Sequence, residues 1–262
     1  MKAFEIMNTM FALAEAGDYR NTCDTCKAGD PEREVTRVAV TMFATPEVIR
    51  QAAEWGAELL ITHEPTYYNH MDHHSTVAVE CAKRKLIEAT GMVLYRYHDH
   101  PHGTKPDIIG EGMLRDMALA GEVSYTETFD LVRVKLERAT TPRELAAILE
   151  KNLDLAHIRI AGAADTPMKK VSCMFGTPGG VYEELQRDDC EIMITGEACE
   201  WALCEYVRDA SQLGFAKALL VLGHIGSERN GMIYTADLVK KLFPALEVKY
   251  FECGEVYTYT DR

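Results

Sequence analysis

The chain has 262 residues, 47% hydrophobic and 26% charged, with a formal net charge of −13. This is enough apolar material for one α/β domain or two small ones, and the acidic balance disfavours nucleic acid and anionic membranes, which both need a positive footprint. The eight cysteines are scattered, no basic segment followed by an apolar one opens the sequence, and no uncharged run of about 18 residues occurs, so the expectation is a reduced, soluble, cytoplasmic protein.

Residues 3–16 place Phe4, Met7, Phe11 and Ala14 at helical spacing, with Gly17 ending the pattern. Residues 18–35 read as polar loop. They contain Cys23 and Cys26 in a single C-x-x-C, a weak zinc or redox signal without a second pair. Strands and helices then alternate. Strand 37–43 is followed by a helix over 46–55 with proline in its first turn, and strand 58–62 by a helix over 76–90. Strand 92–97 is followed by a helix over 107–119. Residues 122–136 look like extended, antiparallel strand. Thr141-Pro142-Arg143-Glu144 marks a helix start, with an N-cap, proline at N1 and glutamate at N3, and that helix runs to about Asn152. An apolar strand opening at His157 follows. Alternation resumes with strand 170–175, helix 181–187, strand 191–195, helix 198–212, strand 216–222, helix 228–243 and strand 247–252. This order predicts an α/β architecture with largely parallel sheets.

The chain resembles itself at an offset of 133 residues. Arg37-Val38 meets Lys170-Val171, and Glu58-Leu-Leu-Ile-Thr-His63-Glu64 meets Glu191-Ile-Met-Ile-Thr-Gly196-Glu197, with four of seven positions identical. At an offset of 126, Leu94-Tyr-Arg-Tyr-His98 meets Leu220-Val-Leu-Gly-His224. The expected organisation is therefore two related halves, 1–120 and 169–262, joined by a connecting strand–helix–strand over 121–168. Two such halves packed face to face would bring strand ends to a central cleft, where α/β sheets bind ligands.

Seven of the nine histidines lie between His63 and His102. The strand ends carry His63 and Glu64, His98 to His102, and His224 with Glu228. Imidazole and carboxylate together suit divalent zinc, iron or manganese, and five or more ligands exceed one tetrahedral ion, so two metals are expected. His70, His73 and His74 read as solvated loop, His100 as exposed and His157 as structural. Glu197, the repeat partner of Glu64, reads as an outer hydrogen-bond acceptor or a helix cap. Gly176-Thr-Pro-Gly-Gly180 reads as a tight turn rather than an anion cradle.

Gly56-Ala-Glu-Leu-Leu-Ile-Thr-His63-Glu-Pro65, Val93-Leu-Tyr-Arg-Tyr-His98, Ile194-Thr-Gly-Glu197 and Gly223-His-Ile-Gly-Ser-Glu228 together resemble the Nif-three-like dinuclear metal-binding family, also known as GTP cyclohydrolase I type 2. The resemblance implies a two-metal site between two related α/β halves, a homohexameric ring, and, at this length, the short form without an inserted domain. Two departures stand out. The family pattern His-His-Pro is here His63-Glu64-Pro65, and its aspartate four residues after the strand-end histidine is here His102. The implied ligand set is His63, Glu64, His102, His224 and Glu228, with Glu64 or Glu228 bridging. His98 is assigned as proton shuttle or outer orienting residue, and Glu197 and Asp99 to the outer shell. A competing alignment makes Asp99 the carboxylate ligand and leaves His102 outside.

The expected function is a metal-dependent, hydrolase-like enzyme. It would act on a small polar, conceivably nucleotide-like substrate of unknown identity through a metal-activated water. The alternative is a non-catalytic metal-binding, metal-delivery or scaffold protein.

Overall fold

The computed structural model describes residues 1–15, 17–126 and 131–260. It divides into two compact units, Met1–Ile109 with Gly231–Arg262, and Gly110–Asn230. The first unit opens with α1 (Ala3–Phe11), a 3₁₀ turn (Tyr19–Asn21) and β1 (Cys26–Ala28). It continues with β2 (Arg37–Thr41), α2 (Pro46–Trp55), β3 (Leu59–Thr62), α3 (Ala78–Thr90), β4 (Val93–Arg96) and the one-turn α4 (Asp99–His102). Helix α5 (Ile108–Met117) leads into the second unit. That unit comprises β5 (Gly121–Tyr125), β6 (Val132–Thr140), α6 (Pro142–Asn152), β7 (Arg159–Gly162), β8 (Met168–Met174), α7 (Val181–Leu185), β9 (Ile192–Thr195), a π-helical turn (Glu200–Cys204), α8 (Glu205–Gln212) and β10 (Ala218–Val221). Helix α9 (His224–Leu242) returns the chain to the first unit, where β11 (Glu247–Tyr250) ends the described strands.

Each unit is built on one sheet. The first has the order β1-β4-β3-β2-β11, parallel except for β1, and the second β5-β6-β8-β9-β10-β7, with β8, β9 and β10 parallel. Parallel strands need cover on both faces, and the strand residues alternate accordingly. In the first unit Val38, Val40, Leu59, Ile61 and Val93 pack with Ile6, Met7 and Met10 of α1 and Met232, Ala236 and Val239 of α9. Ala39, Leu60 and Leu94 face the other way, onto Val48, Ile49 and Ala52 of α2 and Ile87 of α3. In the second unit Val171, Cys173, Ile192, Ile194 and Leu220 meet Leu145, Ala146 and Leu149 of α6. Met193, Leu219 and Val221 meet Val181 and Leu185 of α7 and Val207 of α8.

Several local readings hold because their causes are local. Helix α2 has Thr45 accepting from the Val48 amide at 3.2 Å, proline in its first turn, and Gly56 at φ +83° closing it. Helix α6 has the full capping box, with Thr141 Oγ1 accepting from the Glu144 amide at 3.2 Å and Glu144 accepting from the Thr141 amide at 3.0 Å. Other readings change. Helix α1 stops at Phe11, and its buried stripe is Ala3-Ile6-Met7-Met10 rather than one through Phe4 and Ala14; the expected last residue, Ala16, is outside the described residues. The supposed 18–35 loop contains β1, an edge strand whose Cys26 is paired with Tyr95 of β4. Residues 127–130 of the expected 122–136 strand also lie outside the described residues. The segment 121–168 is no mere connector, because β6 pairs antiparallel with β8 and extends the second sheet. Residues 231–262 leave the second half, because β11 pairs with β2.

The internal repeat is visible in hydrogen bonds. Glu58 Oε2 accepts from the Thr36 and Arg37 amides at 3.1 and 2.7 Å, and Glu191 Oε2 accepts from the Lys169 and Lys170 amides at 2.8 and 2.9 Å. Val38 pairs with Leu59 as Val171 pairs with Ile192, so the offset of 133 holds for the first two strands. The third strand shifts by one residue from the sequence alignment. Thr62 pairs with Arg96 and Thr195 with Val221, an offset of 125. The Tyr97 and Leu222 amides then donate to the Thr62 and Thr195 carbonyls, each at 2.9 Å. His98 is therefore equivalent to Gly223, and the equivalence of His98 with His224 is corrected: the counterpart of His224 is Asp99. Apolar strands align almost equally well one residue apart, and only pairing register separates the choices.

The second unit carries a pH prediction. Glu184 is buried, accepts from Ser172 Oγ at 2.7 Å and receives two hydrogen bonds from Arg133 at 2.8 Å each. Burial alone would raise its pKa, but Arg133 and Ser172 outweigh it and hold the carboxyl below the usual range. A depressed folded pKa stabilises above the unfolded value of about 4.3 and loses that contribution as pH falls below it. Glu184→Gln is expected to cost about 2 kcal/mol at pH 7. Urea titrations at pH 7 and in acid should show the difference from the parent shrinking toward low pH.

Candidate metal centre

Three imidazoles meet at the carboxyl end of the first sheet. His63 directly follows β3, His98 precedes α4 and His102 ends it, and each offers a ring nitrogen within 4.8 Å of the others. The His63 and His98 rings stack at 4.7 Å, and His102 sits edge-on to both at 5.2 and 5.3 Å. His63 is fully buried; His98 and His102 are half-buried.

Each ring is held from behind. His63 Nδ1 donates to the Tyr97 carbonyl at 2.9 Å, His98 Nδ1 to Asp99 Oδ1 at 2.9 Å, and His102 Nδ1 to Asp107 Oδ2 at 2.8 Å. A proton fixed on Nδ1 leaves Nε2 as the nitrogen that could hold a metal, the arrangement by which proteins orient metal-binding histidines. Glu64 Oε1 lies 3.9 Å from both His63 Nε2 and His98 Nε2. The donor set of imidazole nitrogen and carboxylate oxygen, pre-oriented and partly dry, fits a divalent transition ion.

The loop is organised by Asp24, which sequence reasoning passed over as part of a polar stretch. Its buried carboxylate accepts from the His98 amide at 2.6 Å, the His100 amide at 2.8 Å and His100 Nδ1 at 2.6 Å. His100, expected to be exposed, is buried instead, with its ring stacked on Tyr19 at 3.9 Å and against Phe11 at 4.4 Å. Arg96, the last residue of β4, is also fully buried. Its Nε donates to the His63 carbonyl at 2.9 Å and its Nη1 to the His70 carbonyl, with Asp72 at 3.7 Å and Glu64 at 3.9 Å. The only sequence signal for Arg96 was a charge in an apolar run, and Asp24 gave none.

Asp99 occupies a second group, with Cys23 and His70. His70, His73, His74 and His157 are exposed. Cys23 and Cys26 are both free thiols.

In the second unit His224 opens α9, and Glu228 is one turn on. His224 Nδ1 lies 2.8 Å from Glu197 Oε1 and 3.1 Å from Thr177 Oγ1, while Nε2 lies 3.2 Å from Glu228 Oε2. The Gly176–Gly180 stretch is a bent loop between β8 and α7. Gly176 sits at φ +65°, and a Cβ there would come within 2.3 Å of Glu228 Oε1, so glycine is what lets this loop approach the carboxylate. Ser227 Oγ accepts from the Gly176 amide at 2.9 Å.

A family model described as Duf34/NIF3 (NGG1p interacting factor 3) matches residues 1–255. The chain belongs to the NIF3 family. Among its relatives, the GTP cyclohydrolase 1 type 2 homolog of Clostridium perfringens is 24% identical over 226 residues, covering 81% of each chain. That of Streptomyces coelicolor is 24% identical over 214 residues, 74% of this chain and 71% of the relative. In fold, this NIF3-family chain is similar to the structural-genomics protein ybgI of unknown function, with TM-score 0.79, 18% identity, and coverage of 98% and 100%. It is also similar to Staphylococcus aureus protein SA1388, with TM-score 0.74, 18% identity, and 99% of each chain covered. No helix among the described residues of this NIF3-family protein is long and apolar enough to cross a membrane.

Proposed function

We propose that the protein binds two divalent metal ions and uses them in a hydrolase-like reaction on a small polar substrate. The observation that carries the reading is the His63, His98 and His102 group, in which every Nδ1 is held by an acceptor. His63, Glu64 and His102 would hold metal in this reading. His224 and Glu228, in the second unit, are read as metal ligands on their motif and the family resemblance. His98, set beside His63 with its Nδ1 on Asp99, either completes the ligand set or relays a proton. Glu197 orients His224. Bound zinc, iron or manganese would acidify a water and polarise a substrate oxygen. The names of the relatives make a nucleotide-like substrate the first class to test, and the homohexamer remains part of the proposal through the family resemblance. The eight free cysteines support a reducing, cytoplasmic setting.

One observation favours a second reading, in which the protein holds or delivers metal without catalysis. Glu64 and three imidazoles crowd one sheet end, and a site filled by protein donors has no position for water.

Metal analysis of the purified protein, followed by reconstitution with each ion and a screen of phosphoester, amidine and lactam hydrolysis, tests both readings. At least two equivalents per chain with metal-dependent turnover is the expected result. The same metal content without turnover favours the second reading. A His102→Ala protein that keeps the parent's full metal content overturns the ligand assignment.

A further inference from the structure

The Cys23, His70 and Asp99 group lies beside the three imidazoles but shares none of their ligating atoms. Its sulfur, ring nitrogen and carboxylate oxygen all fall within 4.8 Å of one another. The three residues come from separate segments: the turn before β1, the loop between β3 and α3, and the start of α4. Cys23 is buried, with Sγ 3.4 Å from Asp99 Oδ1 and 3.7 Å from Asp24 Oδ1. The thiol donates toward two carboxylate oxygens at those distances, so its proton occupies the position an ion would take.

Asp99 is held rigidly for the task. Its Oδ2 accepts from Thr22 Oγ1 at 2.7 Å and the Cys23 amide at 3.2 Å, and its Oδ1 from His98 Nδ1 at 2.9 Å. The remaining contact to Oδ1 is the thiol itself. His70 is exposed on its loop, so it supplies both a ligand and a route for an ion from solvent. Its backbone carbonyl is tied to the Arg96 guanidinium, which fixes the loop at that point.

We propose that Cys23, His70 and Asp99 form a separate cation site, selective for a soft divalent ion such as zinc or iron(II) over magnesium or calcium. The ion takes the place of the thiol proton. On binding, the Cys23 S–H bond breaks, the proton leaves to solvent, and the sulfur electron pair forms the bond to the metal. Thiolate and imidazole donors prefer such ions, whereas hard cations take oxygen-only sets. Because Asp99 also orients His98, the site shares one anchoring carboxylate with the imidazole group.

Cobalt(II) is the probe, since thiolate ligation produces an intense near-ultraviolet charge-transfer absorption that imidazole and carboxylate do not. Chelator-stripped full-length protein titrated with cobalt should develop that absorption. Cys23→Ser should abolish it, while Cys26→Ser and Cys199→Ser keep it. His70→Ala, an exposed change with little risk to folding, should weaken cobalt binding at this band by roughly 10–100-fold or more, at least the cost of losing an outer-shell partner. His102→Ala should leave the band in place, which separates this site from the imidazole centre. Absence of the band from the parent protein, its survival in Cys23→Ser, or unchanged affinity in His70→Ala overturns the proposal.

Discussion

Arg96→Met is expected to destabilise the first unit by about 3–5 kcal/mol, the usual cost of removing one partner from a buried ion-paired network. The side chain is fully buried and does three things. It donates to the His63 and His70 carbonyls, it faces Asp72 at 3.7 Å, and it faces Glu64 at 3.9 Å. Methionine fills much of the volume but supplies none of the donors. Asp72 would keep Lys27 at 3.4 Å, and Lys83 nearby, whose own pKa burial lowers to about 8 against the pull of Asp72. Those lysines do not replace a guanidinium spanning two carbonyls. Denaturant unfolding of the parent and variant measures the loss, and a difference below about 1 kcal/mol, the scale of an exposed ion pair, would show that the network is not integral to the fold. Since Arg96 ties down the His63 carbonyl, the variant is also expected to bind metal less tightly.

His63→Ala is expected to weaken divalent-metal binding by roughly 100-fold or more, beyond the 10–100-fold typical of losing an outer-shell partner. His63 is the one fully buried ring of the three, and its Nδ1–H is spent on the Tyr97 carbonyl, so the ring has a single orientation. Alanine deletes the ligating nitrogen, leaves that carbonyl without its donor and opens a cavity, with a stability cost of about 2–3 kcal/mol. Metal content and thermal unfolding should therefore be measured together. Retention of the full metal content by a folded His63→Ala protein would remove His63 from the site. Asp107→Asn, which alters the carboxylate that holds His102 and also accepts from the Ile109 amide at 2.7 Å, makes a gentler companion to it.

The parts of the fold that were legible in the sequence are those with local causes. Thr45-Pro46 and Thr141-Pro142 mark helix starts because N-cap oxygens and a proline ring act within one turn. The repeat was legible through Glu58 and Glu191, whose role is to accept from two amides at a strand start. The partial misreadings have non-local causes. β1 is a strand because β4 offers its edge, and residues 231–262 join the first unit because α9 packs Met232, Ala236 and Val239 into its core and β11 pairs with β2.

Strand-end chemistry was likewise visible in the sequence. His63, Glu64, His98, His102, His224 and Glu228 were all marked by position, since a strand end in a parallel sheet is where side chains meet ligands. What surrounds them was not. Asp24 and Asp107 are polar residues in loops, and nothing in the linear order says that one receives the His98 and His100 amides and the other the His102 ring. The burial of His100 depends on Phe11 and Tyr19, residues some eighty positions or more away in the chain.

The sequence by itself determined the alternation of strands and helices, the duplicated motif and the kinds of ligand atom available, because periodicity, capping and residue chemistry are written residue by residue. Only the tertiary structure decided the one-residue register of the third strand, the assembly of His63, His98 and His102, and the grouping of Asp99 with Cys23 and His70. Those depend on hydrogen-bond pairing and on side chains meeting across separate segments, and apolar strands of similar composition do not encode them locally.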